Sequence, residues 1–113
     1  MEKIEAIIRP EKLEAVKNAL AEGGFVDLNV VNVTGRGVQK GITHTGRTGE
    51  RITVDMLPKV KLELVVREGY RERAVSTIVA AARTGVIGDG KIFISPVTDV
   101  IKVRTGERGE QAI

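Results

Sequence analysis

The chain has 113 residues, 42% hydrophobic and 29% charged, with a formal net charge of +3, which makes it one domain able to bury a core of its own. It has no cysteine and a single histidine, His44, so disulfides, thiolate nucleophiles, Cys-ligated metals and a multi-histidine metal site are excluded. Aromatic residues make up only 3%, which argues against an RNA-binding sheet that stacks bases on its strands. Lysines and arginines are interleaved with acids, the pattern of a mixed solvated surface rather than a nucleic-acid stripe. No apolar run approaches the ~18 residues of a membrane span. Met1-Glu2-Lys3-Ile4 lacks the apolar stretch of a signal peptide, so the expectation is a cytoplasmic protein without membrane insertion.

Lys3 to Arg9 reads as a strand with Ile4, Ala6 and Ile8 on one face. Pro10 stands where a helix can start. Leu13, Val16, Ala19 and Leu20 follow at helical spacing, and Gly23-Gly24 ends the element. Leu28 to Thr34, rich in β-branched residues, reads as a second strand. From Gly35 to about Asp55 comes a stretch without apolar periodicity, too long for an ordinary hairpin connection and of a length that is usually functional or disordered. The pattern then repeats. Val60, Leu62, Leu64 and Val66 mark a strand, and Ala74, Val75, Ile78, Val79 and Ala82 a helix that stops at Gly85. Lys91 to Val97 reads as a fourth strand. Ile7-Ile8-Arg9 before the first helix matches Val65-Val66-Arg67 before the second. Two β-α-β halves predict an α+β, ferredoxin-like βαββαβ fold in a single domain over 1–113. Val100 to Arg104 reads as a short extra strand, and the polar tail, about 105–113, as mobile. Ile7, Val65, Phe93 and Val97 should point away from the helices, and a second apolar face predicts an oligomer.

Three segments carry candidate chemistry. Gly35-Arg36-Gly37-Val38-Gln39-Lys40-Gly41 offers backbone amides and a lysine to an anion, and reads equally as a flexible basic loop. It is not a Walker loop, since no Gly-Lys-Ser/Thr opens a helix. Thr84-Gly85-Val86-Ile87-Gly88-Asp89-Gly90-Lys91 is either a second cradle with Lys91 against phosphate, or simply a helix cap followed by an Asp-Gly turn. Lys102 and Arg104, two residues apart, share a face if their segment is a strand; otherwise they are charges protecting a sheet edge. A closed oligomer could bring all three around one anion. No paired carboxylates, Ser-His-Asp set or metal cluster stands out, so a small enzyme on this fold lacks a visible base or nucleophile.

In order along nearly the whole chain, five stretches resemble the PII signal-transduction family: Ile4–Pro10, Gly35–Gly41, Leu57-Pro58-Lys59-Val60-Lys61, Thr84–Phe93 and Ile101–Glu107. The resemblance is strongest to its GlnK-like branch, which is paired with ammonium transporters. It implies a homotrimeric, non-enzymatic sensor with nucleotide clefts between subunits, where ATP and ADP compete. By that resemblance Gly35, Gly37, Val38 and Gln39 line the cleft from one subunit. Gly88, Asp89, Gly90 and Lys91 wrap the phosphates, Lys102 and Arg104 reach them from a neighbouring strand, and Asn29 and Val65 border the adenine. Gln39 would also ligate a Mg²⁺ that bridges ATP and 2-oxoglutarate, two anions that close placement obliges to share a cation. Backbone amides from Gln39 through Lys40 to Gly41, with Lys59, would hold the 2-oxoglutarate carboxylates. The long loop, about 37–55, is the family's T-loop. Its Arg47 matches the arginine that enters an ammonium channel, which implies reversible recruitment to the membrane by a transporter. Departures are specific. Arg51 stands about where many members carry a uridylylated tyrosine, and the only tyrosine is Tyr70, so uridylylation is not expected. The loop is one residue longer near Ile52-Thr53. Val38 and Lys102 replace arginines, and Asn29 stands where threonine is common.

Overall fold

A computed structural model describes residues 1–36, 43–45, 51–53 and 56–113, the two short inner segments by their backbone alone. The chain begins with β1 (Glu2–Ile8), whose burial alternates so that Ile4, Ala6 and Ile8 face inward. Arg9 is extended (φ −62°, ψ 137°) and Pro10 opens a single 3-10 turn, Pro10–Lys12, as the ring's clash with its predecessor and its missing N–H require. The turn runs into α1 (Leu13–Glu22), which buries Val16 and Leu20. Gly24, at φ +89°, ends it, while the Phe25 N–H donates back to the Leu20 carbonyl at 2.8 Å, a glycine-based helix stop. After β2 (Asn29–Gly35) come β3 (Thr43–Thr45), β4 (Arg51–Thr53), the ten-residue β5 (Leu57–Val66), α2 (Arg71–Ala82) and β6 (Gly90–Pro96).

β2, β5, β1 and β6 lie side by side in that order, each pair antiparallel. This is the ferredoxin-like order the two β-α-β halves imply. Both helices cover one face. Ile4, Leu20, Leu62, Ile78 and Val16 are fully buried between the layers, with Leu64, Val66, Ala74 and Ala82 around them. The helices are joined at their solvent edge by Arg73, whose guanidinium lies 4.9 Å from the ring centres of both Phe25 and Tyr70 and donates to the Gly23 carbonyl at 2.8 Å. Contacts of this kind contribute about 0.5–1 kcal/mol each at exposed sites. Among the described residues no helix is long and apolar enough to cross a membrane.

The opposite sheet face is open and mixed. Phe93 and Val31 are 51% and 49% exposed there, with Ile7 and Val65 half-buried beside them; Val97 lies just past the end of β6. Glu5 sits directly across from Glu63, a like-charge pairing that costs stability by itself. Lys3 relieves it, at 2.8 Å from Glu5 and 3.9 Å from Glu63, and Lys61 adds a contact of 3.2 Å to Glu63.

Three features depart from the expectation. Inside the stretch read as irregular, β3 and β4 pair as an antiparallel hairpin, Thr43 against Thr53 and Thr45 against Arg51. Val100 to Arg104 is not a strand: Ile101 makes only an isolated bridge to Arg108. The reason is a local reversal at Gly106 (φ +75°), whose N–H donates to Lys102 O at 2.7 Å while Lys102 N–H donates to Glu107 O at 2.9 Å. Lys102 and Arg104 therefore flank a 99%-exposed Val103 on a turn, not a strand face. Nor is the tail free. It closes in a second 3-10 turn, Gly109–Ala112, with Ala112 buried, and the Glu110 carboxylate accepts from the Glu68 N–H at 3.0 Å.

Candidate functional site

Antiparallel register sorts the described candidates into two groups. At one end of the sheet, Ile8 faces both Val60 and Gly90, and Gly35 faces Leu57. This end gathers Gly35, Lys59 and the connection from α2 to β6, which carries Gly88, Asp89, Gly90 and Lys91. At the other end, Glu2 faces both Val66 and Pro96. Here lies Val65, opposite Lys3, and here β6 ends and the chain goes on to the turn with Lys102 and Arg104, while Asn29, opposite Glu63 and so level with Glu5, stands midway between the two ends. Six residue steps of β1 separate the ends, about 20 Å at ~3.3 Å per residue. Gly37, Val38, Gln39, Lys40, Gly41 and Arg47 lie outside the described residues.

The 84–90 connection has a built shape. Gly85, Gly88 and Gly90 all have positive φ, at 86°, 108° and 102°, a region open to glycine at little cost. Gly90 is further required by contact, because a Cβ there would lie 1.7 Å from the Ile7 carbonyl oxygen. Asp89 turns its carboxylate onto its own loop. Oδ2 accepts from the Thr84 and Gly85 N–H groups at 2.8 Å each. Oδ1 accepts from the Thr84 hydroxyl and, at 3.1 Å, from Arg9 Nε. Four donors fill the roughly four acceptor positions of a carboxylate. Asp89 thus shapes the segment and presents no free carboxylate to a ligand there. The absence of a spare acidic acceptor, together with the left-handed glycines, suits a phosphate group. Lys59 reaches the same segment, its ammonium donating to Gly88 O at 2.5 Å.

This network holds the Asp89 carboxyl well below the ordinary carboxylate range. The Thr84 hydroxyl contributes most; the Thr84 and Gly85 amides and Arg9 add to it, against an opposing effect of burial. A group whose pKa falls on folding stabilises the fold when ionised in both states, and that contribution disappears as acid protonates it in the native state. Asp89 should therefore contribute a constant amount from neutral pH down to its ordinary value of 3.8 and progressively less below it. Thermal melts from pH 7 to pH 2 should show a shallower acid decline in Asp89→Asn than in the parent; equal declines would contradict the network.

Two grooves accompany the two groups. One of about 310 Å³ runs between α2 and β6 and includes Val79, Ala82, Asp89, Gly90 and Lys91. The other, about 390 Å³, is at the far end, where Val65, Val26, Asp27, Arg67 and Ile113 contribute. Sequence reasoning did not assign Arg9 or Thr84 a role. The usable signal was Thr84-Gly85 four to five residues before Asp89, a spacing that lets a carboxylate bond back to turn amides. Among the described residues, no group of three or more His, Cys, Asp or Glu side chains gathers as a metal site; the residue expected to ligate metal, Gln39, is outside them.

Comparison with known proteins agrees with this architecture. The family model described as "Nitrogen regulatory protein P-II" matches residues 1–107. A nitrogen regulatory protein P-II from Synechocystis sp. is 54% identical over 113 residues, covering all of both chains. One from Cereibacter sphaeroides is 55% identical over the same full span. A nitrogen regulatory protein P-II 2 from Methanothermobacter thermautotrophicus is 53% identical, over all of this chain and 97% of its own.

Proposed function

Because the chain belongs to the nitrogen regulatory protein P-II family, we propose that it senses nitrogen, carbon and energy status by binding ATP or ADP together with 2-oxoglutarate. It then regulates partner proteins without catalysis, an ammonium transporter foremost among them, through the loop at about 37–55. The observation that supports the reading is that β6 separates the candidate anion-binding segments toward opposite ends of one sheet. Gly88, Gly90 and Lys91 stand where β6 begins, opposite Ile8, and the turn with Lys102 and Arg104 follows where β6 ends, opposite Glu2. One chain cannot close these groups on a single phosphate group across ~20 Å. A head-to-tail ring can, since it sets the first end of each subunit against the second end of the next. The mixed open sheet face, with Phe93 and Val31 exposed, would then turn inward in a homotrimer.

In each cleft the glycine amides and Lys91 would hold phosphate oxygens, Lys102 and Arg104 of the adjacent subunit would clamp them, and Asn29 and Val65 would border the adenine. Lys59, with the amides of residues 39–41, would take the 2-oxoglutarate carboxylates. A Mg²⁺ held by Gln39 would neutralise the facing anions when bound. Occupancy at the base of the loop biases its conformation, so ligand state becomes partner affinity by population shift. Recruitment to the membrane follows from binding the transporter.

Calorimetric titration of the purified protein tests this. ATP and ADP should compete for one site per chain, and 2-oxoglutarate should bind only when ATP and Mg²⁺ are present. Binding of 2-oxoglutarate without nucleotide, or ATP turnover near an ordinary enzyme's ~10 s⁻¹, would overturn the proposal.

A further inference from the structure

Arg9 is anchored on both sides. Ile8 before it is 2% exposed in the core, and Pro10 after it opens the 3-10 turn. Its side chain is thereby aimed across the end of β1 at the 84–90 segment, far away in sequence. There the guanidinium makes a fork. Nε donates to Asp89 Oδ1 at 3.1 Å, and the terminal nitrogen donates to the Ile87 and Val86 carbonyls at 2.8 and 3.5 Å. The pair is largely covered, with Arg9 18% and Asp89 24% exposed as side chains. Ile87 and Val86 themselves are 62% and 65% exposed, so apolar packing does not hold this part of the loop. Its fixed points are Asp89 with Thr84 and Gly85, Lys59 on Gly88 O, and Arg9 on the carbonyls of residues 86 and 87.

We infer that Arg9 is a positioning residue for the phosphate-binding segment: its fork turns the Val86 and Ile87 carbonyls toward β1 and so presents the following amides to an anion. Two physical effects act together. Carbonyls drawn to Arg9 are removed from the face where phosphate would be repelled by them, and the N–H groups of the same peptides are set on the other side. Arg9 also balances the Asp89 carboxylate, which would otherwise stand unneutralised within a few residues of Lys91. Lysine can supply the charge but not the planar fork that spans a carboxylate and two carbonyls. Arg9 itself touches no ligand in this assignment. The inference rests on the sensor reading and adds which residue outside the cleft sets its geometry.

The test compares Arg9→Lys and Arg9→Gln with the parent protein in three measurements. Calorimetry would give affinities for ATP and for adenosine, amide hydrogen exchange would report on residues 84–90, and thermal melts would confirm folding. Both variants should exchange faster at Thr84 and Gly85. Both should bind ATP about tenfold more weakly, the size of one lost charge-assisted hydrogen bond, and bind adenosine as the parent does. An Arg9→Lys protein with parental ATP affinity would overturn the inference, because charge alone would then suffice. A folded Arg9→Gln protein with parental affinity, or an equal loss for adenosine, would also overturn it. A parent that binds no nucleotide would remove the sensor reading and this inference with it; parental-like variants of a nucleotide-binding parent would remove the inference alone.

Discussion

Gly90→Ala is expected to lower stability by at least ~4 kcal/mol, a fall in Tm on the order of 15–25 °C for a domain of this size. The cause is specific. A Cβ at Gly90 would stand 1.7 Å from the Ile7 oxygen, 2.8 Å from the Ile7 carbonyl carbon and 3.2 Å from the Ile8 Cα. All three are backbone atoms, and β1 is held between β5 and β6. Relief would require β1 to leave β5 or β6 to leave β1, and Ile4, Ala6 and Ile8 carry the core on that strand. The φ of +102° adds strain of its own. Gly69 provides the control: its φ is +88°, yet nothing lies within 4 Å of its Cβ position, so Gly69→Ala should cost only the ~1–2 kcal/mol of a left-handed alanine. Urea unfolding of the two variants measures the difference. A Gly90→Ala protein as stable as Gly69→Ala would mean that β1 and β6 do not approach as described.

The second large effect concerns assembly. Lys91→Ala and Arg104→Ala should each weaken ATP binding by about 10- to 100-fold, since in the proposed cleft each removes a cation from a phosphate. Co-assembled from an equal mixture, the two variants should recover tight sites in about a quarter of the clefts. Under random mixing that is the fraction in which the Lys91-bearing end of one chain meets the Arg104-bearing end of another. Binding stoichiometry on the mixed protein measures this. Sites built within single chains would never recover, because every chain carries one lesion. Zero recovery in a mixture shown to exchange subunits would therefore refute the head-to-tail cleft.

Much of the architecture could be read from the residues because burial imposes simple periods. Ile4, Ala6 and Ile8 alternate, as do Val60, Leu62, Leu64 and Val66, and all seven are buried. Val16 with Leu20, and Ala74 with Ile78 and Ala82, carry the helical spacing. Where order comes from polar backbone bonding instead, the sequence was a weaker guide. The β3–β4 hairpin lies in a stretch with no apolar alternation to announce it. The Lys102–Gly106 reversal depends on Gly106 adopting positive φ, while Val100 to Arg104 carries strand-like composition. At the candidate site, the Thr84–Lys91 glycines were recognisable as an anion cradle or a turn, and the structure gives them positive φ at three positions. Asp89 was read as a phosphate neighbour, and the bonds it makes are to its own loop and to Arg9. Arg9 was invisible because its partners stand 77 to 80 residues away.

The segment after β6 has a further consequence. Asp99 accepts from Val100 N–H at 2.9 Å, Gly109 N–H at 3.1 Å and Arg108 Nε at 3.0 Å. With the Ile101–Arg108 bridge, this ties the stretch bearing Lys102 and Arg104 into a ring closed at its neck. A dangling tail would lose about 1–2 kcal/mol of chain entropy for every residue immobilised by a polyanion. Here the fold has already absorbed that loss, so the two cations would meet a polyanion as a preset clasp.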